Sequence, residues 1–475
     1  MIKKKFVLIL LLCVFIIPNK SISQDSQSEE NFDLELTKKT LTKEINKLLK
    51  ETGIPSISIS LIKDDTIVWA DAFGYANVKK QVPATSATIY HTGSNFKFVT
   101  ATAIMQLAEA GKLDLDDPVN KYLDESAIAD LSNEGTPVTI RHLLSHHSGL
   151  KGPIEMIPIW KRMLPRTLEE VASEISAEEP PGINFKYCNH CFALLGLVIE
   201  KVSGQSYQDY IVENILKPLR IQSEGPLVPT PGMIEELALP YTIVNNQPFP
   251  EYQIRFDVFP ADMYLTVPEI ANFLIAQLNG GLFQGQSILS SESIAEMQKA
   301  QFGSYYGLGT GVINIDDEKF LLHTGALPGF STAFKVGTSS KTGVYIASNS
   351  GGVHDALVSI GDLSLKLLSG EKNAGPLPSF VKMEFEEINL PVKVLEKYTG
   401  KYEIRSELIF AISLEDKQLY AQLTGQPKLE LFPYEEDRFF YKTASAQIGF
   451  NFEKGKVTSL TLYQKHREIE AKKIE

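Results

Sequence analysis

The 475-residue chain reads as an α+β protein: an antiparallel sheet flanked by helices with an inserted helical region, followed by a small all-β domain. Three observations carry this reading. Strand patterns occur at both ends of the first 370 or so residues, in SISISLIKDDTIVWADAFGYAN and in FLLHTGALPGFSTAFKV with GVYIASNS. The stretch between them is dominated by helical spacing. Beyond a Gly/Pro/Ser-rich break at Ser369–Ser379, short alternating runs follow one another closely, the pattern of a small β-barrel or sandwich.

Taken in order, MIKKKFVLILLLCVFIIPNKSISQ has three lysines, an apolar run from Phe6 to Ile17, and Ser21 and Ser23 ahead of Gln24. A basic start, a short apolar core and a small-x-small site define a secretory signal, so residues 1–23 are expected to be removed and the protein exported to the periplasm or beyond. A retained anchor or a lipid-modified Cys13 fits less well, because the run is short for a bilayer and bulky Leu12 precedes the cysteine. ELTKKTLTKEINKLLKETG has apolar residues at helical spacing and ends at Gly53. The next run alternates, breaks at Asp64-Asp65 and resumes, as a β-hairpin does. GSNFKFVTATAIMQLAEAGKL has almost no polar face, so it reads as a buried helix that Gly111 terminates. Helices continue from TIRHLLSHHSGL to the one beginning at Val267-Pro268-Glu269-Ile270. After the second strand group a last amphipathic helix runs from about His354 to Leu368. The domain expectation is therefore residues 24–370 for the α+β unit, 371–390 for a linker and 391–475 for the β domain.

Composition narrows the partners. With 43% apolar and 22% charged residues the chain is an ordinary globular protein. Its net charge of −12, without a basic patch, argues against nucleic acid and anionic membrane surfaces. A small-molecule or peptide substrate, and a cell-envelope setting, fit export better. No cofactor or metal is called for. His142, His146 and His147 contain a His-x-x-x-His spacing, but Leu143 stands where a zinc helix usually carries Glu. Cys188 and Cys191, in YCNHC, have neither a second C-x-x-C nor a strand-turn-helix redox setting. Two separate buried side chains at a helix start are favoured over a functional disulfide.

Three places carry chemistry. Ser94 and Lys97 are three apart, so on a helix they share a face. A serine at a helix N-terminus sits among unpaired N–H groups that favour developing negative charge. A lysine buried beside it should lose its proton easily and could then take the serine's. In PPGINFKYCNHCFALLGLVIE, Tyr187 can hold or relay a proton and Asn189 can bond a substrate amide. In FLLHTGALPGFSTAF, His323-Thr324-Gly325-Ala326 lies on a strand, where Gly325 lets a substrate approach and the Ala326 N–H could pair with that of Ser94 as an oxyanion hole. Read alone, each place has a structural explanation: a cap, a helix start, a turn.

In this order, Ser-x-x-Lys, Tyr-x-Asn and a His-Thr-Gly strand resemble the serine β-lactamase and penicillin-recognising superfamily, close to its class C β-lactamase branch. The similarity covers about residues 40–370 and extends to VTIRHLLSHHSGL, YGLGTGV and HTGALPGFSTAF. It implies the β-lactamase/transpeptidase fold and an acyl-enzyme hydrolase acting on a D-amino-acid peptide, an ester or a β-lactam. By that resemblance Ser94 is the nucleophile, Lys97 the base for acylation and Tyr187 the proton shuttle to the leaving group. Asn189 binds the substrate amide, and His323 and Thr324 face a substrate carboxylate or join the proton network. The alternatives are a carboxylesterase of the same fold and a non-catalytic binder of peptidoglycan fragments. Histidine where the usual class C enzymes carry lysine removes a permanent charge and lowers the expectation of efficient β-lactam hydrolysis. A literal Lys341-Thr342-Gly343 also occurs, but its flanks Gly337, Ser339 and Ser340 read as a hairpin turn, and His91-Thr92-Gly93 is an accident of the approach to Ser94. The C-terminal β domain is read as a stabilising or gating module.

Overall fold

The computed structural model describes residues 32–474, apart from 124–135, 153–155, 159–166, 222–235, 245, 252–253, 257–259, 261, 373, 379–386, 406–407, 425–427, 442–445 and 465–466. The signal-peptide expectation, part of the linker and part of the Pro153–Glu179 loop lie outside the described residues.

The first helix, α1 (Leu34–Thr52), starts where the Asp33 side chain accepts from the Leu36 N–H and stops at Gly53, whose φ of 76° suits a residue without Cβ. The hairpin follows as β1 (Ser56–Lys63) and β2 (Thr66–Asn77), with β3 (Val82–Pro83) at the sheet edge. The later strands are β4 (Gly311–Ile315), β5 (Glu318–Leu327), β6 (Phe330–Gly337) and β7 (Thr342–Ser348). The seven-stranded sheet has the order β4-β5-β6-β7-β1-β2-β3, so the two ends of the domain meet where β1 pairs with β7, Ile59 opposite Ile346.

Strand β1 is covered on both faces, and its Ile/Ser alternation sorts two environments. Ile57, Ile59 and Leu61 pack with Leu41 and Ile45 of α1 and with Leu357 and Ile360 of the last helix of the domain. Ser56 and Ser58 point the other way and share the Tyr90 hydroxyl at 3.1 and 2.8 Å. A larger core on that side holds α2 (Lys97–Glu109), α3 (His190–Ser203) and α4 (Val267–Leu278) against Phe334, Val336 and Tyr345. Ten of the 13 residues of α2 are buried, as an all-round apolar helix requires. Helix α4 begins at a capping box in which Thr266 and Glu269 each bond the other's backbone N–H, with proline in its first turn. Helix α5 (His354–Leu368) closes the domain.

The C-terminal strands form a closed eight-stranded antiparallel barrel spanning residues 400–473, which decides between the barrel and sandwich expectations. Closure comes from Tyr402 opposite Lys473 in the first and last strands. Side chains fill its centre. The Tyr398 ring lies 4.5 Å from Phe450 and 5.2 Å from Phe439, and the Tyr398 hydroxyl donates to the Glu436 carbonyl. Tyr398→Ala removes these contacts together with a buried hydrogen bond. It should lower barrel stability by about 3–5 kcal/mol in denaturant unfolding.

Candidate active site

Gly93 to Phe96 form one 3₁₀ turn, and α2 continues directly from it at Lys97. Gly93 has φ +55°, and a Cβ there would stand 3.0 Å from the Ala326 nitrogen. A Cβ on Gly325 would meet the Thr92 carbonyl and Thr332 Oγ1, each at 2.2 Å, with the Ser94 nitrogen at 3.2 Å. Two glycines therefore allow the turn and strand β5 to touch, which brings the Ser94 and Ala326 backbone to the same place. The turn is stitched to β6 as well. Thr332 Oγ1 donates to the Thr92 carbonyl at 2.6 Å, and Asn95 Nδ2 donates to Thr332 Oγ1 at 2.9 Å.

Lys97 Nζ lies 2.9 Å from Ser94 Oγ, and the residue is fully buried. Burial holds the amine well below its ordinary pKa, against a smaller opposing effect from the Asp262 carboxylate. The amine stands 5.0 Å from the centre of the Tyr187 ring and 5.5 Å from that of Phe192. The Tyr187 phenol is pushed the other way: burial raises it, and its hydrogen bond with Ser94 offsets only part of that. Burial thus favours an uncharged amine and a protonated phenol, a proton acceptor and a proton donor beside one hydroxyl.

Asn189 stands at the start of α3 but does not cap it. Its Oδ1 is buried without a protein hydrogen-bond partner among the described residues, so it is spare for a ligand N–H. The flanking cysteines correct the expectation of separate thiols: Cys188 and Cys191 form a disulfide. The turn into α3 brings their Cα atoms to 5.4 Å, within bridging range, which composition could not reveal. The bridge encloses Asn189 and adjoins Tyr187.

On β5, His323 uses both ring nitrogens inside the protein. Nδ1 donates to the Thr324 carbonyl at 2.7 Å, which leaves Nε2 to accept from the Tyr306 hydroxyl at 2.8 Å. Burial depresses its pKa to about 3, with Lys97 adding a smaller effect, so the ring is neutral. Of the two expected roles, the hydrogen-bond network is the one this ring already serves, through the Tyr306 hydroxyl and the Thr324 carbonyl. Thr324 is exposed beside it.

Sequence reasoning weighed His146 only as a metal candidate and did not single out Tyr306, although LLSHHSGL and YGLGTGV contain them. The His146 carbonyl accepts from the Lys186 N–H at 2.7 Å and its Nδ1 from the Cys188 N–H at 3.1 Å, so one residue holds the backbone on both sides of Tyr187. Its ring lies 4.2 Å from that of Tyr187. The other histidines have separate structural tasks: His142 takes part in a capping box with Thr139, and His147 Nδ1 meets Ser145 Oγ. Lys341 sits in the β6–β7 turn with φ +47°, its amine on Asn279 Oδ1. His91 is buried, its Nδ1 2.6 Å from Asp262 Oδ2.

A serine and a buried lysine of depressed pKa in adjoining helical turns, a phenol ring facing that amine and strand β5 beside the serine are the arrangement of the penicillin-recognising class of serine-hydrolase folds. The chain belongs to the Beta-lactamase family, whose model matches residues 41–364; a second model, a domain of unknown function (DUF3471), matches the barrel at residues 386–474. Protein flp of Staphylococcus aureus (strain MW2) is 28% identical over 312 residues, 63% of this chain and only 61% of that protein's length. Penicillin-binding protein 4* of Bacillus subtilis (strain 168) is 26% identical over 432 residues, 85% of this chain and 92% of that one. Among solved structures, the octameric penicillin-binding protein homologue from Pyrococcus abyssi superposes with a TM-score of 0.59 at 28% identity, covering 91% of this chain and 99% of that one.

His142, His146, His147 and His323 all have depressed pKa values in the folded protein, first of all through burial, with His142 at about 4. Unfolded imidazoles take up protons near pH 6.5 and the buried ones do not, so their stabilising contribution is full above that pH and is lost as pH falls. The thermal midpoint should therefore drop between about pH 6.5 and pH 4, and His142→Asn should flatten part of that drop.

Proposed function

We propose that this protein is an exported serine hydrolase that acts through an acyl-enzyme at Ser94, on esters or amides whose leaving group carries no free carboxylate. The buried Lys97 amine, 2.9 Å from the Ser94 hydroxyl and held well below its ordinary pKa, carries the reading. In acylation Lys97 takes the hydroxyl proton while Oγ attacks the substrate carbonyl carbon. The Ser94 and Ala326 N–H groups receive the developing oxyanion. As the tetrahedral intermediate collapses, Tyr187 gives a proton to the departing oxygen or nitrogen and regains one from Lys97. Water then attacks the acyl carbon, releasing the acid and restoring Ser94. Asn189 Oδ1 accepts from the substrate amide.

Substrate charge follows from His323. A ring held neutral with both nitrogens engaged offers no cation to a carboxylate, which supports neutral esters and aminopeptidase-type amides over β-lactams and free-acid D-peptides. Export is supported by the N-terminal signal pattern and by the Cys188–Cys191 disulfide, a bond that persists in oxidising compartments.

Intact mass spectrometry after incubation with a fluorophosphonate and with p-nitrophenyl acetate should show adducts that vanish in Ser94→Ala; a parent protein that acquires none would defeat the hydrolase reading. Lys97→Met should lower the acylation rate by about 10²–10⁴-fold. For D-alanyl peptides, kcat/KM should favour amidated over free-acid termini at least about tenfold, one step on the 1.4 kcal/mol scale, and His323→Lys should narrow that ratio.

A further inference from the structure

We propose that Asp262 is a positioning residue for the nucleophile, holding with its two carboxylate oxygens the turn on which Ser94 and Lys97 stand. Oδ1 accepts the Gly93 N–H at 2.7 Å, one residue before Ser94. Oδ2 takes the His91 Nδ1–H at 2.6 Å. Both side chains are almost wholly buried, at 5% and 1% exposure, so the carboxylate has been taken out of water to meet this turn. A buried carboxylate is costly unless its oxygens are hydrogen-bonded, and pairing it is weak as a source of net stability.

The surroundings leave both groups little freedom. Tyr90–His91 pairs antiparallel with Tyr264–Leu265, Thr92 N–H donates to the Met263 carbonyl at 2.7 Å, and Met263 N–H donates to Thr92 Oγ1 at 3.0 Å. The His91 ring is packed between Tyr264 and Phe330, with centroids 4.1 and 4.9 Å away. This register places Asp262 beside the one residue of the turn with positive φ, where the amide would otherwise lack a rigid acceptor. Gly93 in turn is the residue on which β5 closes, so a shift of its amide would move Ser94 relative to Ala326.

The carboxylate also acts on the amine. Among the described residues, the titratable groups that interact with Lys97 are Tyr187, His146, His323 on β5, and Asp262. Of these Asp262 alone is a carboxylate, and it favours the charged amine against burial. Its removal therefore moves the acid limb of the rate profile to lower pH.

The inference rests on Ser94 being the nucleophile, and two readouts keep the claims apart. Hydrogen exchange across residues 90–96 needs no activity. Asp262→Asn and Asp262→Ala should lose protection at the Gly93 amide while keeping the helical exchange pattern of α2. Fluorophosphonate labelling of Ser94, measured against pH, should slow at least 10-fold in Asp262→Asn, with the acid limb displaced downward. His91→Asn, which keeps a donor near the Nδ1 position, should stay closer to the parent than His91→Leu. Unchanged protection at Gly93 together with an unchanged labelling rate and acid limb would overturn the proposal, as would a rate loss that merely follows the unfolded fraction. A parent protein that does not label, yet loses Gly93 protection on substitution, would defeat the hydrolase reading and leave the structural hold intact.

Discussion

An ammonium group removed from water has either to find a counter-charge or to give up its proton, and around Lys97 the first option is closed. Its helix is largely buried, the Tyr187 and Phe192 rings face the amine, and the Asp262 carboxylate that acts on it is already committed to His91 and Gly93. Desolvation therefore prevails, and the amine becomes a base placed against a hydroxyl. The same dry surroundings push Tyr187 toward its protonated form and His146 and His323 toward neutral rings. One physical condition, burial, shifts four pKa values at once, each in favour of the group's uncharged form.

Such a pocket demands that its walls come from distant parts of the chain and fit without slack. Strand β5 meets the nucleophile's turn only because Gly93 and Gly325 lack side chains. The phenol is placed by His146, which holds the backbone on each side of it, and by a disulfide immediately downstream. Beneath, the sheet joins β1 to β7, and its two faces bury separate cores. The barrel has its own aromatic core and so resembles a unit that stabilises itself.

Much of the fold was legible because it follows from short-range periodicity. Alternating Ile and Ser in β1, the largely buried, mostly apolar α2 and the Gly terminators at 53 and 111 all hold in the structure. The three site motifs were legible as a set, since their order and spacing carry more information than any one of them. Rejecting Lys341-Thr342-Gly343 also needed only local pattern, because its flanks spell a turn.

By itself, then, the sequence determined which residue types stand in which local geometry: the serine and lysine on one helical face, the tyrosine and asparagine at a helix start, the histidine on a strand. Tertiary structure decided what those residues are chemically. The bridge between Cys188 and Cys191, the full engagement of the His323 ring and the meeting of Asp262 with Gly93 each depend on burial or on contacts between segments far apart in the chain. Periodicity reports which face a side chain occupies; the charge it can hold there depends on how much water remains, and that is settled only when the distant walls close.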